Sequence, residues 1–81
     1  MRHSEQPQPA LGKAIRRLRE KRGATQEGLG SDAGVTGRTV SLIEQGHANP
    51  KWATVRDIAD ALGVSMGDLA KLADKFAADE K

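Results

Sequence analysis

Residues 25–50, TQEGLGSDAGVTGRTVSLIEQGHANP, predict two short helices joined by a tight turn. Thr25 is a residue type that satisfies the free backbone N–H groups at the start of a helix. Leu29 and Ala33 lie four residues apart and therefore share one face of the helix that follows. Gly34 readily takes the left-handed conformation that ends a helix. The first helix of the pair is expected to stop there.

The second helix is expected to start at Thr36, another residue type that caps helices. Val40 and Ile43 recur at helical spacing on its inner side. Gly46 ends the helix, and a proline four residues later prevents its simple continuation. The outer side carries Gly37, Arg38, Ser41, Leu42 and Gln45. A short helix with an arginine on its free face has the size of a DNA major groove.

These segments resemble the XRE family of helix-turn-helix proteins, which includes the lambda-type phage repressors and Cro. The resemblance runs through IRRLR (15–19), GATQE (23–27), GVT (34–36), VSLIEQG (40–46), NP (49–50) and IADALGVS (58–65). All the pieces stand in order and at the family's spacing. The resemblance implies an all-α, compact five-helix lambda-repressor-like domain whose helices 2 and 3 form the helix-turn-helix. It also implies a sequence-specific, repressor-like regulator that binds double-stranded DNA.

Apolar periodicity predicts three further helices outside the motif. Their marker residues are Leu11, Ile15 and Leu18 for the first helix, Trp52, Val55, Ile58, Ala59 and Leu62 for the fourth, and Leu69, Leu72, Ala73 and Phe76 for the fifth. Residues 1–9 are expected to be a flexible arm, residues 10–77 the DNA-binding domain and residues 78–81 a frayed tail. The family position of Trp52 usually holds a large apolar residue, so core packing is expected for it.

The resemblance places the second motif helix in the major groove. Arg38 is the main candidate for base recognition, because a guanidinium can donate two hydrogen bonds to a guanine. The full set of candidate base contacts is Thr36, Gly37, Arg38, Ser41 and Leu42. For Arg38 the alternative is a phosphate contact or a free charge, and for Thr36 it is capping alone. Gly37 departs from the family's usual polar residue, and it either permits a close backbone approach or removes one base contact.

A second set of residues is expected to position the protein on the DNA backbone. In the family a glutamine at the position of Gln26 holds phosphate and braces the reading helix, and the backbone amides of residues 46–48 run along the DNA. The candidate phosphate contacts are Gln26, Arg16, Gln45, Gly46, His47, Asn49 and Lys51. The resemblance also implies an ion pair between Arg19 and Glu44, which makes both residues structural.

Charge supports this interpretation of the chain. The net charge is +2, but residues 1–56 carry +5 and residues 57–81 carry −3. Six basic residues fall between positions 13 and 22, where they either attract phosphates from a distance or form an ordinary solvated face. The absence of cysteine removes disulfides and thiolate chemistry. No apolar run reaches the length of a membrane span, so a cytoplasmic protein, nucleoid-associated when bound to DNA, is expected.

Oligomeric state and partners stay open at this level. Leu69, Leu72 and Phe76 fit the seam of a homodimer through helix 5, and they fit equally well the wall of a small core. A homodimer would require a pseudo-palindromic operator. The alternative function is an antitoxin-type or protein-interaction module of the same fold that acts with a partner protein. No spacing supports a catalytic set, a metal site or a cofactor.

Two glycines lie inside the first motif helix. Gly28 is expected to cost stability, so Gly28→Ala should raise the melting temperature without changing DNA affinity. Gly30 replaces an alanine of the family pattern and is expected to allow a tighter crossing of the two motif helices.

Overall fold

A computed structural model describes residues 8–79, which form five helices and, within that range, no strand. The helices are α1 (Pro9–Lys21), α2 (Gln26–Ala33), α3 (Gly37–Glu44), α4 (Trp52–Leu62) and α5 (Met66–Asp79). Helix α1 packs against α3 and α5, and α2 packs against α3 and α4. The predicted all-α, five-helix architecture is confirmed. No helix in the described range has the length and apolarity needed to cross a membrane.

The ends of the helical domain lie slightly outside the predicted bounds. Helix α1 already begins at Pro9, a residue type that suits the first helical position because its missing N–H would have had no partner there. Helix α5 continues through residues 78 and 79, which the sequence assigned to the tail. The predicted arm over residues 1–7 and the end of the tail at 80–81 lie outside the described residues.

The helix-turn-helix is held by the local signals that the sequence predicts. The Thr25 hydroxyl accepts a hydrogen bond from the Gly28 N–H at 2.9 Å, which caps α2. Gly34 has a φ of 81°, and the N–H of the following Val35 donates to the Gly30 carbonyl at 2.8 Å. Thr36 then caps α3 by accepting from the backbone N–H of residue 39 at 3.0 Å. The two helices therefore start and stop where capping chemistry dictates.

Two glycines bring α2 and α3 into backbone contact. A Cβ atom at Gly30 would lie 2.7 Å from the Val35 carbonyl oxygen and 2.8 Å from the Thr36 carbonyl carbon. A Cβ atom at Gly37 would lie 2.7 Å from Cγ and 3.0 Å from Cα of Glu27. Since real Cβ atoms essentially never approach other atoms this closely, the observed crossing requires glycine at both positions. The predicted close approach at Gly30 is confirmed.

One continuous core joins all five helices. Its buried members are Ala14, Ile15, Leu29, Ala33, Val40, Ile43, Val55, Ile58, Ala59, Leu62 and Leu69. Helix α1 crosses closely over the end of α3, because a Cβ atom at Gly12 would run into the Ile43 carbonyl oxygen. Helix α5 closes the other side of α1 through Leu69, which is only 1% exposed.

Trp52 lies outside this core, and its predicted burial is wrong. It is 69% exposed, although Val55, Ile58 and Leu62 of the same helix are buried. Trp52 is the first residue of α4. Although it shares the helical spacing of the buried residues, most of its indole stays in water.

Candidate nucleic-acid interface

A buried ion-pair cluster fixes α3 against α1 and α2. Glu44 Oε2 accepts a hydrogen bond from Arg19 Nε at 2.7 Å, and its Oε1 accepts from Arg19 Nη2 and Gln26 Nε2, each at 3.0 Å. The side chains of Glu44 and Arg19 are only 3% and 12% exposed. The hydrogen bond to Glu44 raises the pKa of the Arg19 guanidinium above its ordinary value. The structure thus contains the ion pair that the family resemblance implies.

Arg19 extends this cluster into the chain segment before α2. Its Nη1 donates to the carbonyl oxygen of Ala24 at 2.9 Å. The guanidinium of Arg19 therefore connects α1 with two other parts of the molecule, the entry to α2 and the C-terminal end of α3. Because the contacts are directional, they define how far and at what angle α3 projects from the body of the domain.

The outer face of α3 has few side chains whose hydrogen-bonding groups are free for DNA. Arg38 is exposed. The Thr36 hydroxyl accepts from the backbone of Thr39 and also donates to the Thr39 hydroxyl at 3.0 Å. Ser41 accepts from Gln45 Nε2 at 2.9 Å and keeps its own proton for another partner. The arginine is thus the side chain with the greatest unused capacity for hydrogen bonding on this face.

The packing of α2 against α3 gives a reason for glycine at position 37 that the sequence did not indicate. The space that a side chain would need at Gly37 is filled by Glu27 at the start of α2. Gly37 serves the close approach of the two helices, so only its backbone remains for a DNA contact. Glu27 carries no local sequence signal for this contact, and only the packing of the two helices places it against the start of α3.

The end of α3 corrects one expectation about phosphate binding. The N–H groups of Gly46 and His47 donate to the carbonyl oxygens of Ile43 and Leu42 at 3.0 and 2.9 Å. Together with a φ of 78° at Gly46, these bonds form the usual hydrogen-bonded end of a helix. The amides of Gly46 and His47 are therefore already used and are not free to hold phosphate. Of the two, only His47 retains a side chain for that purpose.

Other phosphate candidates lie around this loop. Gln26 gives one amide proton to Glu44, and its Nε2 carries a second. Gln45, Asn49 and Lys51 are exposed. A Cβ atom added at Gly46 would lie 3.3 Å from the Cα atom of Pro9. The start of α1 and the loop after α3 are thus neighbours.

The six basic residues near α1 do not act as one group. Arg16 Nε donates to Glu20 at 2.9 Å, and this bond lowers the pKa of the Glu20 carboxyl group. Arg17 lies over the ring of Phe76, with 5.3 Å from Cζ to the ring centre. Arg22 Nη1 reaches the carbonyl oxygen of Ala61 at 3.3 Å. With Arg19 bound to Glu44, the predicted basic face is divided among four different neighbours.

The structure has a helix-turn-helix whose second helix is fixed by a buried ion pair and exposes an arginine. These are the features of a helix-turn-helix DNA-binding domain. A family profile described as a helix-turn-helix domain matches residues 10–79. The chain is 37% identical over 59 residues to the uncharacterized HTH-type transcriptional regulator YazB of Bacillus subtilis, covering 73% of this chain and 86% of YazB. It is 35% identical over 65 residues to the uncharacterized HTH-type transcriptional regulator y4dJ of Sinorhizobium fredii, covering 80% and 84%.

Solved structures agree with these sequence relatives. The clp gene regulator ClgR of Corynebacterium glutamicum superposes with a TM-score of 0.81 at 28% identity, over 86% of this chain and 92% of ClgR. The restriction-modification controller protein C.AhdI of Aeromonas hydrophila gives a TM-score of 0.73 at 28% identity, over 75% and 92%. The chain belongs to the XRE, lambda repressor-like family of helix-turn-helix proteins. It is a DNA-binding transcriptional regulator.

Proposed function

We propose that this regulator acts as a repressor-like protein that reads a specific operator by inserting α3 into the major groove. The observation that carries the proposal is the exposed Arg38 at the second position of a helix held rigidly by Arg19 and Glu44. A guanidinium there can donate to O6 and N7 of one guanine, which typically supplies about 1 to 3 kcal/mol of discrimination. Rigid support matters because base recognition depends on the direction of hydrogen bonds.

The other residues of the outer face have smaller roles in this proposal. Ser41 donates its free hydroxyl proton to a base, and Leu42, which is half-buried, meets a thymine methyl group at the edge of α3. Thr36 reaches a base only by giving up its bond to Thr39. Gly37 contributes its backbone alone. Base recognition therefore depends chiefly on Arg38.

Phosphate contacts position the domain in the same proposal. Gln26 gives its second amide proton to a phosphate next to the start of α2, where the helix dipole also favours an anion. Lys51, Asn49, Gln45 and the side chain of His47 contact the backbone on the other side of α3. Arg16 joins them when its exposed pair with Glu20 opens, which costs little because both side chains are more than half exposed.

We propose further that the protein binds DNA as a homodimer on a pseudo-palindromic operator, with α5 at the contact. Leu69 offers almost no surface to that contact, because it is 1% exposed and forms the core wall. Leu72 and Phe76 are half-buried and keep only part of their surface for a partner. In such a dimer the two reading helices would lie about 34 to 36 Å apart. We assign no catalytic step to this member of a family of DNA-binding regulators, and we place it in the cytoplasm with its DNA.

Selection of bound sites from a random duplex pool tests the proposal. The wild-type chain should recover a two-fold related motif, and Arg38→Ala should lose the preference at one guanine in each half while it still binds. Lys71→Ala, which removes one exposed charge on α5, is the matched control and should recover the wild-type motif. Uniform weakening at every site by Arg38→Ala would make Arg38 a phosphate contact. A wild-type pool without any motif would contradict specific operator binding.

A further inference from the structure

Trp52 is the one large apolar residue within residues 8–79 that is strongly exposed. It is also the only tryptophan in the chain. Exposing an indole to water is unfavourable, and tryptophan is among the residues most enriched at protein interfaces. Trp52, 69% exposed in the monomer, is therefore a good candidate for the central residue of a protein–protein interface.

An apolar groove of about 260 Å³ lies directly beside this side chain. It is formed by the start of α1, the start of α4 and one face of α5, and its lining consists of Gln8, Leu11, Trp52, Val55, Met66, Leu69, Ala70, Ala73 and Asp74. On the α5 side the lining includes two alanines, whose small side chains leave the groove open. Large apolar residues line the opposite side. None of these residues comes from α2 or α3, so an occupied groove leaves the reading face free.

We infer that this groove receives Trp52 of a second copy of the chain, with the exchange made twice across a two-fold axis. The inference rests on the proposed homodimer and names its contact surface. Because the exposed indole forms part of the groove wall in each protomer, a two-fold rotation can bring each indole against the other protomer's groove. Such a self-complementary patch is what a two-fold interface requires.

Charge around the patch supports a second copy as the occupant. Arg56 is exposed and lies one helical turn after Trp52 on α4, whereas Asp74 lines the groove from α5. Within residues 8–79 neither Arg56 nor Asp74 forms an ion pair. When the indole of one protomer enters the groove of the other, Arg56 of the first protomer approaches the carboxylate of Asp74 in the second. The same attraction occurs twice in the dimer.

The surface around Leu72 and Phe76 is a weaker candidate for the contact. Phe76 is already covered by the guanidinium of Arg17, and both apolar residues pack against the core. The groove beside Trp52 is formed by a different part of α5, the one that carries Ala70 and Ala73. The two candidate surfaces can therefore be disrupted separately.

Trp52 itself reports on its own burial through its fluorescence. We expect sedimentation to give a dimer whose indole emission is blue-shifted, and dilution through the dissociation range should shift the emission to the red as the dimer separates. Ala70→Glu and Trp52→Gln should each raise the dissociation constant at least tenfold while the far-ultraviolet circular dichroism stays helical. Ala78→Glu, the same exchange on the part of α5 near Leu72 and Phe76, should leave the dimer intact.

A charge reversal provides the second arm. Arg56→Glu and Asp74→Arg should each weaken the dimer several-fold, and the double variant should recover most of the loss. A dimer that keeps an exposed indole emission, or one that dissociates with Ala78→Glu but not with Ala70→Glu, would overturn the groove while leaving the homodimer standing. A monomer at every concentration would overturn both. A monomer would also remove the reason for a two-fold related operator, whereas base reading by Arg38 is measured separately by site selection.

Discussion

At the scale of single residues, Glu44 shows how a carboxylate is tolerated close to a DNA-binding surface. It accepts three hydrogen bonds from two side chains and is almost completely removed from water. Each bond reduces the negative charge that a phosphate would meet. The cluster therefore limits repulsion of the DNA backbone while it fixes α3.

Removal of one member of this cluster should be severely destabilising. We expect Glu44→Ala to lower the free energy of unfolding by about 3 to 5 kcal/mol, because Arg19 would keep a largely buried charge without its close carboxylate partner. Urea denaturation followed by circular dichroism measures this loss. Glu20→Ala, which removes a carboxylate from an exposed pair, is the control and should change stability little. Equal effects of the two variants would contradict a special role for burial.

The pH dependence of the cluster follows from the raised pKa of Arg19. A cation whose folded-state pKa is raised contributes its stability fully below its ordinary pKa and loses it only as the pH rises through the folded value. The ordinary pKa of arginine already lies far above neutral pH, so both the ordinary and the raised pKa lie outside the range in which the protein is studied. The stabilisation that Glu44 gives to charged Arg19 should therefore stay constant from about pH 7 to about pH 10, as measured by the difference between wild type and Arg19→Met at each pH.

Two glycines of α2, only two positions apart, should respond in opposite directions to alanine. At Gly30 the new methyl group would collide with the backbone at Val35 and Thr36, so we expect a loss of about 1 to 3 kcal/mol. At Gly28 its single close neighbour would be the Thr25 hydroxyl oxygen at 3.1 Å, the tip of a side chain that can shift slightly. Gly28→Ala should then gain up to about 0.5 to 1 kcal/mol in helix propensity. Thermal melting compares the pair, and a lower melting temperature for Gly28→Ala would contradict this explanation.

At the scale of elements, α3 and its flanks separate reading from positioning. In the proposed complex with DNA, Arg38 faces the bases, whereas the positioning groups lie at the start of α2 and in the loop after α3. This separation follows from hydrogen bonding. The caps and ends of the helices consume the polar groups of Thr36, Gly46 and His47 that would otherwise have been available to DNA.

Salt dependence should distinguish the two kinds of contact. Lys51→Ala should weaken binding to all sequences alike and reduce the slope of log K against log salt by about one, because one phosphate contact is lost. Fluorescence anisotropy with a selected operator and a scrambled duplex over a salt series measures both quantities. Lys71→Ala, from exposed α5, should leave the slope unchanged. A Lys51→Ala effect confined to the operator would mean that Lys51 takes part in sequence recognition.

At the scale of the whole molecule, α5 completes a core that four helices cannot close. Leu69 packs under α1 and α4, and Arg17 extends the contact by lying over Phe76. Arg22 connects the end of α1 to the carbonyl of Ala61, near the end of α4. The acidic C-terminal third thus packs against the basic part of the chain and contributes to folding as well as to the proposed dimer.

Leu69→Ala should therefore unfold the domain and not simply separate a dimer. We expect a loss of about 2 to 5 kcal/mol, as for other leucines removed from a core, with a melting temperature that falls at every protein concentration. Differential scanning calorimetry over a concentration series measures this. Ala70→Glu, next to it but exposed, should leave the monomer's unfolding unchanged. A Leu69→Ala variant that stays stable as a monomer would return Leu69 to the dimer seam.

Five helices, and the ends of those in the motif, could be predicted from the sequence, because capping residues, left-handed glycines and apolar spacing act over a few positions. Thr25, Gly34 and Thr36 each work through neighbours no more than four or five residues away. The exposed arginine on α3 follows from the same local periodicity. The Arg19–Glu44 pair came only from the family resemblance, since nothing local connects residues 25 positions apart.

Only the tertiary structure decided which of the predicted DNA-binding groups already have hydrogen-bond partners within the protein, and which side chains are buried. It buries Leu69, exposes Trp52, fills the space above Gly37 with Glu27 and uses the amides of Gly46 and His47 inside the helix end. The physical reason is that burial and hydrogen-bond partners depend on segments distant in the chain. Residues 25–50 contain the local signals for a helix-turn-helix, and the packing of α1, α4 and α5 around them decides what that motif can still offer to DNA and to a second copy.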